Sequence, residues 1–506
     1  MSISSYRSRA GSVLVIAAML VLSACGQKEA AKTMPAAATP EAAMSAEVPV
    51  TTASEEARAL FMEGRALLDD LHFIDAHAKF VAAVEADPDF AMAHVMVANT
   101  SLTAEEFFDH VGKASAAAAN ASEGEQLYVQ AQVAAAENDQ AKQGETLKKL
   151  VSAYPKDVRT HMTLGNFLNG QQDFAGAAEH FMHATQIDPE YAPAQNSLGY
   201  AYRSLEDLDQ AQAAFERYVE LLPNESNPHD SLAELLMEVG NYEESIKHYQ
   251  MALDIDPHFA SSYVGISKNY SLMGEPEKSQ EAASQMMAAA RNFAERQNAQ
   301  FLSATSYLFA GDTDAAMEVG NTMAAEAEAA GNLAAAGGIH EYMGDAMLNA
   351  DDAAKAEEHY SAALAHRQNA DINDAAKAQA KRIHLFKMAI AAMVAEDAEA
   401  AAERTAKYTA AAEANGTAFE RRRIHELAGY MAMINDDMAA GMEHLAQASQ
   451  LNPHVLYWSA VAQDALGDKD KAMELATRAA NRNTLSQNLP FVRADALELL
   501  AKLNEA

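Results

Sequence analysis

The chain has 506 residues, with 72 acidic side chains against 37 basic ones and a formal net charge of −35. That balance argues against nucleic acid as a partner, because gripping a polyanion needs a basic face. One cysteine in the whole chain leaves no intramolecular disulfide, so the fold must hold by packing alone.

At the amino terminus, Arg7 and Arg9 precede an apolar run from Gly11 to Leu22, which leads into Ser23-Ala24-Cys25. The run is too short to span a bilayer, and small residues before the cut site suit a signal peptidase. The segment resembles a bacterial lipoprotein signal, with residues 1–24 as the signal peptide; an ordinary secretory signal is the rival reading. The resemblance implies lipidation at Cys25, the acylated first residue of the mature chain. Each buried methylene of such an anchor contributes about 0.8 kcal/mol. Gly26 stands where enteric lipoproteins retained at the inner membrane carry Asp, so the expectation is an outer-membrane lipoprotein facing the periplasm. Residues 25–54, rich in Ala, Glu and Thr with Pro35, Pro40 and Pro49, are expected to form a disordered tether reaching roughly 30 Å.

From residue 55 a spacing of 34 sets in, most visible in Pro155, Pro189, Pro223 and Pro257. Numbering each repeat 1 to 34, the copy from Val158 has Gly165 at position 8, Leu168 at 11, Ala177 at 20, Phe181 at 24, Ala184 at 27 and Pro189 at 32. The copy from Ala192 answers with Gly199, Tyr202, Ala211, Phe215, Tyr218 and Pro223, and the copy from Ser226 with Ala233, Leu236, Ser245, Tyr249, Ala252 and Pro257. An earlier copy from Ala57 keeps Gly64, Ala76, Phe80, Ala83 and Pro88, and the interval to Pro155 suits a degenerate pair. Small residues at 8 and 20 let two antiparallel helices approach, large ones at 11 and 24 fill the space around them, and proline stops the second helix. One such hairpin cannot bury its own apolar face, so neighbours must stack.

At these residues the chain resembles the tetratricopeptide repeat (TPR) family. The resemblance implies an all-α, right-handed α-α superhelical solenoid, with a 34-residue array over 55–292. Beyond it Ile339-His340-Glu341, Ile383-His384-Leu385 and Ile424-His425-Glu426 recur at longer intervals, while Gly344, Ala356, Tyr360 and Ala363 keep the register. Longer TPR-like hairpins are therefore expected over 293–455. A short terminal repeat and capping helix should occupy 456–506, since end repeats carry a modified face.

His94, His161, His229, His340 and His425 all take position 4. One histidine per hairpin is too distant from the next to share a metal bonded at about 2 Å, so the expectation is packed histidines capping helix pairs and no metal. No HExxH, GxSxG, GxGxxG, P-loop or SxxK arrangement occurs. A solenoid without inserted loops offers no obvious pocket, so the chain is read as a non-enzyme without cofactor.

Binding remains. In the family, positions 2, 5, 9 and 12 of each first helix line the concave groove. Here they supply Arg159, Asn166, Asn169, Asn196, Tyr200, Arg203, Asn227, Asp230, Glu234 and Lys268. Asparagine can bond the backbone of an extended peptide, and tyrosine can stack on it. An ordinary polar inner face fits the same residues. The paired lysines of carboxylate-clamp members are missing at position 5, which holds Phe61, Met162, Asn196 and Asp230. The basic run Arg421 to Arg423 is expected to pair with Glu420 and Glu426. The sequence thus points to a membrane-anchored, periplasm-facing TPR scaffold for a protein or peptide partner, in envelope assembly or polymer export. An envelope enzyme acting on glycan or peptide would instead need a pocket with two converging carboxylates, and a solute-binding lipoprotein an enclosed cavity.

Overall fold

The computed structural model describes residues 47–505 except Leu71, Leu102, Asn138 and residues 482–485; Cys25, the expected signal segment and most of the expected tether lie outside them. Among the described residues there are twenty-five α-helices and no strand. They form twelve helical hairpins and a last helix, Arg493–Glu505, wound as a right-handed all-α solenoid. Each helix packs on the next, and first helices of successive hairpins also touch one another, as Ser226–Glu238 touches Ala260–Met273. No described helix is long and apolar enough to cross a membrane.

The hairpins form for the reasons the spacing gives. A Cβ added to Gly165 would meet the Phe181 ring at 2.5 Å, and one on Gly199 would meet Phe215 at 2.6 Å. In these two repeats position 24 packs directly on position 8, and only a hydrogen there leaves room. Aspartates start the second helices: the side chains of Asp173, Asp207, Asp312, Asp352, Asp397 and Asp437 each accept a hydrogen bond from a backbone N–H of the first turn. The residue before the N-cap of a second helix turns the chain in the left-handed region, supplied by Gly240, Gly274 and Gly311 but also by Gln172 and Glu206. From Phe293 to Ile434 the helices are 17 to 21 residues long, against 10 to 15 in the array before them. The added turns explain the stretched spacing of the second half.

Residues 47–54, assigned to the disordered tether by composition, are instead held against the first repeats. The Val48 amide donates to Asp157 and the Thr51 amide to Glu125, both at 2.8 Å, the Thr52 hydroxyl bonds Asp87, and Arg58 donates to the Val50 carbonyl. Backbone donors met by buried or half-buried carboxylates fix an extended strip that composition alone marks as unable to fold.

Candidate functional site

The concave face is occupied by the chain's own end. Leu489, fully buried, packs with Met237 and Leu272, with Tyr242 and Phe309 against them. The Phe491 ring lies 5.6 Å from Tyr342, and the Arg478 guanidinium lies 2.7 Å from Glu206. This covering accounts for the burial of Ser226–Glu238 and Ala260–Met273 on almost every side, including positions that a free groove would expose.

The ten groove residues divide accordingly. Asn166 and Asn169 are exposed. Arg159 forms a two-pronged pair with Asp69 of the first hairpin, at 2.5 and 2.9 Å, and Tyr191 donates to the same carboxylate. Tyr200 donates to Glu234 at 2.6 Å; Arg203 is 3.3 Å from Glu234 and 2.5 Å from Glu238. Asn196 accepts from Ser231, Asn227 from Tyr218, and Asp230 from Ser262. Burial raises the Tyr200 hydroxyl well above its usual range, with the Glu234 charge adding to it. Burial also pushes the Asp230 carboxyl up to about 7, against the Ser262 hydrogen bond, and pushes the Lys268 ammonium down to about 7. Eight of the ten side chains are thus part of an internal polar seam.

Beyond the seam lies a cavity of about 680 Å³, contrary to the expectation that such a solenoid offers no obvious pocket. Its wall combines Phe386, Phe419, Trp458 and Phe491 with Asp345, Lys387 and Arg423, and the Gln172 turn reaches it from the opposite repeats. Coiling brings the second half and the C-terminal segment around this space, a long-range closure that the repeat period does not encode. Lys387 bonds both oxygens of Asp345 at 2.7 and 2.8 Å. Burial and then the Lys387 charge push His454 down to about 4, so its ring is neutral. The basic run does not pair as expected. Glu420 takes Arg382 at 2.8 Å and the Tyr408 hydroxyl at 2.5 Å, whereas Glu426 takes Tyr430 and Asn452. The Arg423 guanidinium sits over Phe386 at 4.3 Å and Phe419 at 4.7 Å.

The position-4 histidines do not stand one per hairpin. Nδ1 of His94, His161, His229, His340 and His425 lies 3.0, 3.1, 3.3, 3.1 and 3.1 Å from Nδ1 of His110, His180, His248, His359 and His444 respectively. In the first three pairs Nε2 of the position-4 ring faces the carbonyl of Pro88, Pro155 or Pro223. That Nε2 carries the proton, so Nδ1 accepts from the partner ring. The second histidine, at position 23 in four of the five, was visible in the sequence as a second recurring register. Tyr263 replaces the histidine in the next copy and donates to the Pro257 carbonyl, so the ring caps the turn between repeats.

Family models described as tetratricopeptide repeat match residues 168–235, 229–261 and 454–483. The chain therefore carries tetratricopeptide repeats. The mouse and human proteins named Protein O-mannosyl-transferase TMTC3 are each 24% identical over 147 residues, covering 26% of this chain. The chain spans only 16% of the length of these curated relatives. Among solved structures, the APC/C hetero-tetramer Cut9-Hcn1 is similar over 84% of this chain and 76% of that one, at 14% identity and TM-score 0.39. The TPR protein YrrB, described as having an unusual peptide-binding site, is similar over 36% of this chain and 91% of its own, at 17% identity and TM-score 0.27.

Proposed function

We propose that the protein is a lipid-anchored scaffold of the bacterial cell envelope, held at the outer membrane through Cys25 and facing the periplasm. It binds a protein partner in envelope assembly or polymer export rather than catalysing a reaction. The repeats supply the general basis for protein binding. The observation that carries the reading is the aromatic and charged wall at the cavity, where Phe419 is 49% exposed beside Arg422 and Arg423. An exposed aromatic ring flanked by guanidinium groups, in a chain otherwise rich in carboxylates, suits an extended partner segment that carries an aromatic or acidic side chain. The seam of Arg203, Asp230 and Glu234 contributes rigidity to this reading, not contact.

A photoreactive residue in place of Phe419, with a control at the exposed Met182 on a second helix, tests it in cells. A protein adduct at Phe419 alone supports the scaffold; equal capture at both sites, or none, counts against it. Loss of membrane fractionation on Cys25→Ser tests the anchor separately. The cavity's volume also favours a second reading, a solute-binding lipoprotein, because small-molecule sites occupy about 300–1,000 Å³. Thermal stabilisation by a solute, abolished by Trp458→Ala, would select that reading.

A further inference from the structure

The histidine pair at His340 and His359 differs from the first three in what faces its outer nitrogen. Counting from the aspartate that starts each second helix, Glu328 follows Asp312 as Pro155 follows Asp139 and Pro223 follows Asp207. Glu328 therefore stands where the shorter repeats have their closing proline. The longer helix Thr313–Ala329 continues through that point, and a carboxylate replaces the proline carbonyl opposite the position-4 ring. Glu328 Oε1 lies 3.8 Å from His340 Nε2 and 3.2 Å from His366 Nε2. The His340 and His366 rings are parallel within 4°, with centroids 5.3 Å apart.

From this geometry we infer that Glu328, His340 and His366 form a binding site for a divalent first-row transition ion of the zinc class. The three side chains come from three successive helices, Thr313–Ala329, Leu333–Asn349 and Ala353–Asn369, and their ligand atoms all lie within 4.8 Å of one another. Bonds of about 2.0–2.1 Å place tetrahedral ligand atoms about 3.3 Å apart, so the closest pair already fits and modest side-chain rotation brings in the third. Glu328 is exposed and the rings are partly so, which gives an ion a way in and leaves the side chains free to adjust. Two imidazoles and one carboxylate select zinc, cobalt or nickel over magnesium or calcium, and three protein ligands leave a position for water or an outside group.

The neighbouring histidine completes the arrangement. A metal-bound imidazole characteristically donates its other N–H to an acceptor that fixes its tautomer. His340 Nδ1 has His359 Nδ1 at 3.1 Å for that purpose. The tautomer is the reverse of that at His161, where the Pro155 carbonyl holds the proton on Nε2. Close approach of the last turn of Ala353–Asn369 depends on Gly337, whose added Cβ would meet Arg367 at 2.7 Å and the Ala363 carbonyl at 3.0 Å. Among the described residues no other group of three His, Cys, Asp or Glu side chains offers ligand atoms this close together.

The test is titration of the full, chelator-treated protein with Co²⁺, read by its visible absorption, followed by competition with Zn²⁺. We expect one equivalent with low-symmetry, high-intensity bands, displaced by zinc, and a melting temperature that rises with zinc. His366→Ala should remove that equivalent, and Glu328→Gln, at an exposed position that leaves folding intact, should weaken binding at least tenfold. His359→Leu should weaken it by roughly 10–100-fold, the effect of losing an orienting partner. His425→Ala, which breaks a pair without a third ligand, should leave cobalt binding unchanged. Equal affinity and stoichiometry in the native protein and Glu328→Gln, or loss of binding in His425→Ala but not His366→Ala, overturns the assignment.

Discussion

Arg478 pairs with Glu206 at 2.7 Å, joining the last hairpin to a turn in the fifth, so the solenoid closes on its own concave side. Glu206 is one of the turn residues with positive φ. Leu489 completes the closure beside Met237 and Leu272. Leu489→Ala should therefore destabilise the protein by about 2–4 kcal/mol, the usual cost of truncating a fully buried leucine. Amide exchange in Ser226–Glu238 should rise at the same time. Unchanged protection there would show that this helix does not depend on the C-terminal cover.

Close approach at position 8 makes the glycines strict. Gly199→Ala places a methyl where the Phe215 ring stands, with 2.6 Å available. Phe215 is fully buried, so it must shift within packed surroundings to admit the methyl. The expected loss is about 1–3 kcal/mol, measured as a lowered urea midpoint. The turn at position 15 behaves oppositely. Gln172 has a φ of 63°, a region in which glycine carries no Cβ penalty, so Gln172→Gly should gain up to about 1 kcal/mol.

Much of this architecture is legible in the residues, because position 8 meeting position 24 is a local rule that each repeat restates. Gly165 with Phe181 and Gly344 with Tyr360 obey it even where the helices lengthen. The site is less legible for a physical reason. Arg159 meets Asp69, and Arg478 meets Glu206, only because the superhelix curves, and curvature accumulates from small rotations that no single repeat records. Position 9 or 12 marks the inner face, but not whether that face is free. The histidine pairs were legible in principle, since His180, His248, His359 and His444 each follow a position-4 histidine by the same interval.

Acid should loosen the array through those pairs. Burial lowers His161 and His180, and the His161 charge lowers His180 further; burial and the His94 charge likewise lower His110, and burial and the His229 charge lower His248. Lys113 and Asp109 also face the first pair, with opposite effects. A histidine depressed in the folded state binds its proton more readily when unfolded, near pH 6.5. Stability is therefore full above that pH and falls as pH drops towards the folded values. Urea midpoints should decrease from pH 7.5 to pH 5, and His180→Asn should flatten that decrease. An equal slope in the variant would assign the acid sensitivity to other groups.

Lys268 gives the opposite test at higher pH. The residue is 4% exposed and its ammonium is held near 7 by burial, whereas the unfolded side chain titrates at about 10.4. Below pH 7 the folded chain carries the full cost of a buried charge, and between about 7 and 10 that cost disappears as the folded form loses its proton before the unfolded form would. Stability should rise with pH across this window. Lys268→Met removes the charge while keeping an unbranched apolar stem, so it should stabilise the protein by about 1–3 kcal/mol at pH 6. The advantage should shrink towards zero at pH 10. Asp230, raised to about 7 by burial, runs the other way: Asp230→Asn should gain most above pH 7 and nothing below about pH 4. Urea midpoints of the two variants across pH 6 to 9 separate these effects, and a Lys268→Met advantage that stays constant over that range would mean that apolar packing, not removal of charge, accounts for it.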